Sequence, residues 1–358
     1  MGPMNRQRSA TLVIGLPVLA LVVLLLGGSS AARVATAEPA GAPPPAELDS
    51  TMWTAIQNVD LRIGAKADEG GALRVRRLRG RVFETTPGRL PFLDEPESFG
   101  IEVTSGSVAL DGEGLTTLLT ERVFNYRGSP IRSLRVTVEN GQLVQRGIIR
   151  KGVDMRFTMW SNLTLTDDNR IRSHPTKLTL LGVNGLSLLH ALGLKMEKVL
   201  DVSGTKGIVQ MQGDDMLLDP LKMIPPPRVV GRLESVKVEG DEIVQTFATT
   251  PDDSVFRASV RVDTSVKNYI YYKGAALRFG RLTMEPTDLL IADTDESDRF
   301  DLDLARYNEQ LTAGYTRIIQ NNALRTWMPD RADLKDGRVP PPLVPRDVRG
   351  GAQMRPPR

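Results

Sequence analysis

Cysteine is absent from the 358 residues of the chain, and histidine occurs only twice. Without cysteine the chain can form no disulfide, no thiolate metal site and no cysteine nucleophile. His174 and His190 are too few for a histidine-based metal centre or a Ser-His-Asp triad. Aromatic residues make up only 5%, whereas hydrophobic residues reach 41% and charged residues 25%, which is typical of a folded globular protein. These absences favour binding over catalysis, and we expect no enzymatic activity, cofactor or metal.

The net charge of +3 is carried by the two ends of the chain. Residues 1–37 contain three basic side chains and no acidic one, and residues 331–358 contain seven basic against three acidic. Residues 38–330 therefore hold 36 basic and 40 acidic side chains, a mildly acidic balance. Nucleic acid is consequently not an expected partner.

The N-terminal segment, residues 1–37, has the parts of an export signal. Two arginines precede an apolar run over residues 12–26, and Ala35-Thr36-Ala37 matches a cleavage site. Because a comfortable membrane-spanning helix needs about 20 residues, a cleaved signal peptide is favoured over a retained N-terminal membrane anchor. Under either interpretation the part of the chain after residue 37 is exported. We therefore expect a bacterial periplasmic protein that is soluble after cleavage or tethered to the inner membrane by residues 12–26.

Composition divides the remaining chain into three segments. Residues 38–50 form a Pro/Ala linker, and residues 331–358 form a Pro/Arg-rich tail that we expect to be disordered. Between them, residues 51–330 alternate apolar and polar side chains in many short runs separated by turn residues. Asn140-Gly141, between two such runs, predicts a β-hairpin. We expect a β-rich α+β domain with antiparallel sheets.

One ten-residue pattern recurs in the chain. VTVENGQLVQ (136–145) and VKVEGDEIVQ (236–245) share valine, glutamate and glutamine at matching places, and VQMQGDDMLL (209–218) follows the same scheme. The pattern indicates either a duplicated unit in two similar halves or independent hairpins that resemble one another by necessity.

Helical spacing predicts helices over residues 113–124, over 185–200 with Asn184 as N-cap, in a short turn from Asp219, and over 299–311. Their apolar stripes are either core or the wall of a ligand groove, since both use the same residue types. An aliphatic wall with few polar groups suits acyl chains better than sugars or nucleotides. The candidate groove residues are Leu115, Leu118, Leu119, Val123, Leu186, Leu189, Leu192 and Met196.

Two weak motifs for chemistry remain. Ser203 and Lys206 have the spacing of a lysine-activated serine, but the partner motifs of such hydrolases are absent. The acidic run from Asp293 to Asp303 lacks the glycine and glutamate of a calcium-binding EF-hand loop, so Asp298 and Asp301 are expected to stabilise a helix N-terminus instead.

A cluster of arginines lies on one predicted strand. Such a row can contact anionic lipid headgroups at a membrane surface. The alternative is a solvated strand face or a sheet edge protected by charge. The candidate headgroup residues are Arg74, Arg76, Arg77 and Arg79, with Arg81 following.

Three segments together resemble the LmeA-like phospholipid-binding proteins and, more broadly, the tubular lipid-binding (TULIP) superfamily. They are SVALDGEGLTTLLTERVF (107–124), IRSLRVTVENGQLVQRG (131–147) and HPTKLTLLGVNGLSLLHALGL (174–194). The resemblance implies a curved antiparallel sheet that wraps one or two amphipathic helices, an apolar groove for lipid tails and no catalytic residues. It extends over about residues 100–240 and does not include the prolines at 225–227 or the region after Tyr269.

The leading hypothesis is an exported, membrane-associated protein of the cell envelope that binds or transfers a phospholipid or other acyl lipid without enzymatic activity. The alternative is an envelope scaffold or protein-interaction module with no small-molecule ligand. A third hypothesis, an exported hydrolase, depends on Ser203 and Lys206 alone.

Overall fold

The computed structural model describes residues 51–63, 71–151, 153–187, 195–263, 265–304 and 306–335. The predicted signal or anchor, the linker and the tail after residue 335 lie outside these residues. Of the helices that the structure describes, none is both long and apolar enough to cross a membrane.

Twenty strands and six α-helices make up the described part of the chain. The strands are β1 (Met52–Arg62), β2 (Ala72–Glu84), β3 (Phe99–Asp111), β4 (Ile131–Glu139), β5 (Gln142–Lys151), β6 (Val153–Leu165), β7 (Ile171–Leu180), β8 (Val183–Asn184), β9 (Val209–Gln212), β10 (Asp215–Leu218), β11 (Arg228–Val230), β12 (Leu233–Glu239), β13 (Glu242–Phe247), β14 (Tyr269–Gly274), β15 (Leu277–Phe279), β16 (Leu282–Met284), β17 (Thr287–Asp293), β18 (Phe300–Leu302), β19 (Tyr315–Ile318) and β20 (Leu324–Met328). The helices are α1 (Gly112–Leu118), which continues as a π-helical turn (Leu119–Val123), α2 (Met196–Val199), α3 (Pro220–Met223), α4 (Asp252–Ser259), α5 (Tyr307–Ala313) and α6 (Arg331–Lys335).

The strands form a large sheet, a small sheet and one separate hairpin. The large sheet has eleven strands in the order β12-β13-β3-β2-β1-β14-β17-β20-β19, with β11 beside β3 and β18 beside β1. The small sheet has seven, in the order β4-β5-β6-β7-β10-β9, with β8 beside β7. Most neighbours are antiparallel; β1–β18, β3–β11 and β17–β20 are parallel. The fold is therefore a β-rich α+β class with open antiparallel sheets, as the alternation predicted.

Two hairpins with the recurring sequence pattern have the same pairing. In β4–β5 Val136 lies opposite Gln145, and in β12–β13 Val236 lies opposite Gln245. The first hairpin turns at Asn140-Gly141, where both residues have positive φ angles of 52° and 75°. Such angles fit the twist of paired strands and are tolerated by asparagine and glycine. The predicted hairpin at this turn is confirmed.

A β-bulge in β2 sets the direction of its arginines. The register with β3 shifts between Val75 and Arg77, so Arg76 is an extra residue. Val75 before the bulge and Leu78 after it therefore both point inward, although they are three residues apart. The arginines consequently all lie on the outer face. Because β2 pairs with β1 and β3, it is an interior strand. The alternative that its arginines protect a sheet edge is wrong.

A single apolar core joins the inner faces of the two sheets and α1. It includes Val75 of β2, Leu118 of α1 and Leu143 of β5. A second, smaller cluster covers the outer face of the large sheet under α4, where Trp53 and Phe256 meet edge to face at 5.8 Å between ring centroids.

The predicted helices had different outcomes. The first is confirmed as α1 and its π-helical turn, and the Asp111 carboxylate accepts a hydrogen bond from the Gly114 amide at its start. Asn184 likewise accepts from the Ser187 amide at 3.1 Å, but residues 188–194 lie outside the described residues. The short helix after Asp219 is confirmed as α3, with the Asp219 carboxylate accepting from the Lys222 amide.

The C-terminal predictions need correction. A helix over 299–311 is wrong, because residues 300–302 form β18 and the helix begins only at Tyr307. Asp301 consequently lies in a strand, not at a helix N-terminus. Residues 331–335, expected to be disordered, form α6. His174 lies in β7.

Candidate functional site

An apolar cavity, cavity A, lies against the inner face of the large sheet. The space between its walls, open mouth included, is about 1060 Å³, but the bore is narrow, since the centre of a water molecule can occupy only about 100 Å³ of it. Its walls come from β1, β2, β3 and β14 and from the proline segment Ile224–Pro227. Almost all of this lining is aliphatic or aromatic carbon.

The few polar groups around cavity A already have partners or are buried. The Arg62 guanidinium donates to the Asp301 carboxylate at 2.5 and 2.6 Å, and the Tyr307 hydroxyl donates to Asp94. Burial raises the pKa of the Tyr272 phenol, which stays neutral. Among the described residues, cavity A therefore has no charged side chain that is free to bind a ligand.

Cavity B lies between the two sheets, beside α1. The space between its walls, open mouth included, is about 580 Å³, of which the centre of a water molecule can occupy about 40 Å³. Leu115, Leu118 and Leu119 form one side, and side chains of β3, β5, β6, β7, β10 and β13 form the others. The π-helical turn that follows α1 keeps Leu119 on the same side as Leu115.

Cavity C lies deeper against the small sheet, with about 340 Å³ between its walls. Phe124, Phe157 and Met196 are among its lining residues. Cavities A and B share Ile224 as a wall, and cavities B and C share Gln145 and Met216. The three cavities are therefore consecutive spaces separated by single side chains.

The predicted groove residues fall in several places. Leu115, Leu118 and Leu119 line cavity B, and Met196 lines cavity C. Val123 is fully buried in the core, and Leu186 packs partly buried against it. Leu189 and Leu192 lie outside the described residues. Sequence reasoning missed the strand residues of cavity A, because alternation shows which side chains share a face but not which face is enclosed.

Most of the predicted headgroup arginines are neutralised. Arg74 pairs with Asp60 at 3.3 Å and with Glu242, Arg76 pairs with Glu239 and Glu242 at 2.8 and 2.9 Å, and Arg79 pairs with Asp253 at 3.4 Å. Arg77 is exposed and has no ion pair among the described residues. The outer face of β2 is thus a network of paired charges.

One end of the small sheet exposes apolar side chains instead. Val153 is 66% exposed, Leu181 67% and Val183 56%, and we call these three residues the apolar tip. They are neighbours, since β6 begins at Val153 and the Leu181 amide donates to the Arg156 carbonyl of the same strand. Phe157, a wall of cavity C, follows one residue later. The exposed Arg132 and Arg156 lie at the same level of the sheet, on either side of Ile148.

The weak motifs for chemistry form no enclosed site. Ser203 and Lys206 are both exposed at a 3₁₀ turn, with Lys206 at a positive φ of 52°. The carboxylates of Asp293, Asp298 and Asp330 lie within 4.8 Å of one another. Burial, reinforced by the neighbouring carboxylates, raises the pKa of Asp293 to about 7 and that of Asp330 to about 8. We call this cluster of three carboxylates at one end of the large sheet the acidic corner.

The described residues form three adjacent spaces with hydrocarbon walls and an apolar, partly basic surface near one end of the small sheet. Comparison of the chain with protein-family models, with curated proteins and with solved structures found no match.

Proposed function

We propose that this is an exported, non-enzymatic protein that binds or transfers a phospholipid or other acyl lipid, holding its chains in cavities A, B and C. The series of apolar cavities carries the proposal. Each methylene group moved from water into such a space gains about 0.8 kcal/mol, so a long chain binds without any charged contact. The aliphatic lining of cavity B by α1 supports a TULIP-like arrangement in which curved sheets wrap a helix.

The apolar tip supports contact with a membrane surface. Exposed aliphatic side chains beside exposed arginines suit a bilayer with anionic headgroups. Because Phe157 belongs to both the tip strand and the wall of cavity C, lipid would enter from this end. The tip replaces the β2 arginines as the proposed membrane contact, since most of those arginines already have acidic partners.

One observation favours the scaffold alternative. β19 is an edge strand of the large sheet, and Ile318 at its end is 71% exposed. An unpaired edge with an apolar side chain can pair with a strand of another protein. In that case the cavities would be packing defects without a ligand.

Native mass spectrometry of the full chain, purified with its co-extracted lipids, tests the proposal. We expect a stoichiometric lipid mass on the wild-type protein. Val75→Phe, which places a ring in cavity A, should lower the bound fraction at least tenfold. Val103→Phe is the matched control, because Val103 is equally buried on the same face of the large sheet but lines none of the three cavities. A ligand-free wild-type protein that still melts cooperatively would overturn the proposal.

A further inference from the structure

Two buried glutamines interrupt the hydrocarbon lining of cavity B. Gln145 and Gln245 are 4% and 5% exposed, and both line this cavity. The Gln245 Oε1 atom is buried with no hydrogen-bond partner among the described residues. Buried amide oxygens are normally paired, so an unpaired one that faces a second buried amide across a cavity requires an explanation.

The two glutamines come from the two hairpins that share the recurring pattern. Gln145 lies opposite Val136 in the small sheet, and Gln245 lies opposite Val236 in the large sheet. Each therefore points from the inner face of its own sheet into the space between the sheets. The pattern places a matching amide on each wall of cavity B.

Two buried serines lie next to the lining of cavity B without forming part of it. Ser161 and Ser173 have no exposed area, and each Oγ lacks a partner among the described residues. They lie across the sheet from Leu143 and Leu163, which both line cavity B. None of the residues that line cavity B is charged. A ligand group at this position would form hydrogen bonds but carry no charge.

We infer that cavity B binds an uncharged hydrogen-bonding group, an ester or a hydroxyl, that lies between two hydrocarbon segments of an acyl lipid. The inference rests on the proposed function. Cavities A and C lie on either side of cavity B and take the two hydrocarbon segments. A carboxamide both donates and accepts, so the two glutamines can bind either group. A phosphate is excluded from cavity B, because no cation is available there to neutralise it.

Binding of stearic acid and of its mid-chain hydroxy derivative to the full chain tests the inference by isothermal titration calorimetry. We expect the wild-type protein to bind the hydroxy acid about tenfold more tightly, as one or two added hydrogen bonds would give. The double variant Gln145→Met, Gln245→Met keeps the side-chain length and removes the amides. It should bind stearic acid as well as the wild type and lose the preference. Gln142→Met is the control, because Gln142 lies on the same strand but bonds to Asn162 and Thr176 outside the cavity.

The outcomes separate the inference from the proposed function. A wild-type protein that binds both acids equally would overturn the inference alone and assign the glutamines to buried water. A preference that survives in the double variant would also overturn it. Failure to bind either acid contradicts the proposed function. Melting temperatures report whether the double variant folds, and Gln245→Met alone provides a milder change if the double variant does not.

Discussion

Asp253 of α4 and Arg79 of β2 form an ion pair of 3.4 Å across the outer face of the large sheet, although they are 174 residues apart in sequence. The Asp253 carboxylate also accepts hydrogen bonds from Ser105 at 2.5 Å and from Arg257 at 2.7 Å. Burial alone would raise the pKa of Asp253, but these hydrogen bonds and the charge of Arg79 hold it below its ordinary value. The Asp253 carboxylate therefore links α4 to the large sheet through Ser105 and Arg79.

Replacing Asp253 should destabilise the fold. Asp253→Ala leaves the Ser105 hydroxyl without its acceptor and Arg79 without its partner, so we expect the free energy of unfolding to fall by about 2–3 kcal/mol. Urea denaturation measures the change. Asp252→Ala is the matched control, because the Asp252 side chain is 42% exposed and its one ion pair among the described residues is with Arg81 at 3.4 Å; its effect should stay below about 0.5 kcal/mol. Equal effects of the two substitutions would contradict this role.

The acidic corner should make stability depend on pH. Because the pKa values of Asp293 and Asp330 are raised to about 7 and 8, the folded state holds protons that the unfolded chain has released. The contribution of these bound protons to the stability of the folded state is complete below the ordinary aspartate pKa. It is lost as the pH rises through about 7 to 8. We expect the free energy of unfolding to fall by several kcal/mol between pH 5 and pH 9.

Asp330→Asn should reduce that dependence. The amide oxygen can still accept the Asp301 backbone N–H that Asp330 now accepts at 2.6 Å, while the charge is removed. The variant should be more stable than the wild type at pH 9 and similar to it at pH 5. Glu296→Gln, an exposed change of equal charge in the loop between β17 and β18, should leave the pH profile unchanged. A flat wild-type profile would contradict the raised pKa values.

The apolar tip should determine membrane binding. We expect Leu181→Asp combined with Val183→Asp to weaken cosedimentation with phosphatidylglycerol vesicles about tenfold or more, because charge replaces apolar area that enters the bilayer. Ile318→Asp is the control, since Ile318 is equally exposed but lies on the edge of the other sheet. If Ile318→Asp instead removes a stoichiometric protein partner and no variant affects vesicle binding, the scaffold alternative is favoured.

The turn between β4 and β5 gives a local test. Gly141 has a φ of 75°, and a Cβ there would meet no atom within 4 Å, so Gly141→Ala introduces backbone strain without a clash. We expect a loss of about 1 kcal/mol in the free energy of unfolding. Asn140→Gly, at a neighbouring positive φ, should change it by less than about 0.5 kcal/mol. A neutral Gly141→Ala would show that the turn relaxes.

The sequence predicts local structure here better than it predicts the sheets. The turn at Asn140-Gly141 and the short helix after Asp219 depend on neighbouring residues, so both were predictable. The β2 bulge also left a signal, since Arg76 and Arg77 interrupt an otherwise alternating run. Pairing between strands that are distant in sequence leaves no local sequence signal. For that reason the extent of the large sheet was not predictable.

Residues 300–311 show why one prediction failed. Phe300, Leu304, Tyr307 and Leu311 have helical spacing, whereas Phe300 and Leu302 have strand spacing. Parallel pairing with β1, about 240 residues earlier, decides in favour of the strand. Similarly, α1 could be predicted as one wall of cavity B. The opposite wall of that cavity comes from β13 and could not be predicted.

The position of β1 has a consequence for folding. β1 is the first strand of the described chain, but it can pair with β14 and β18 only after residues 269–274 and 300–302 have been synthesised. Closing such long loops is slow, and until then one edge of β1 and its apolar face stay open. The newly made chain therefore needs protection from aggregation until almost all of the domain is available, and we expect refolding in the range of seconds rather than milliseconds.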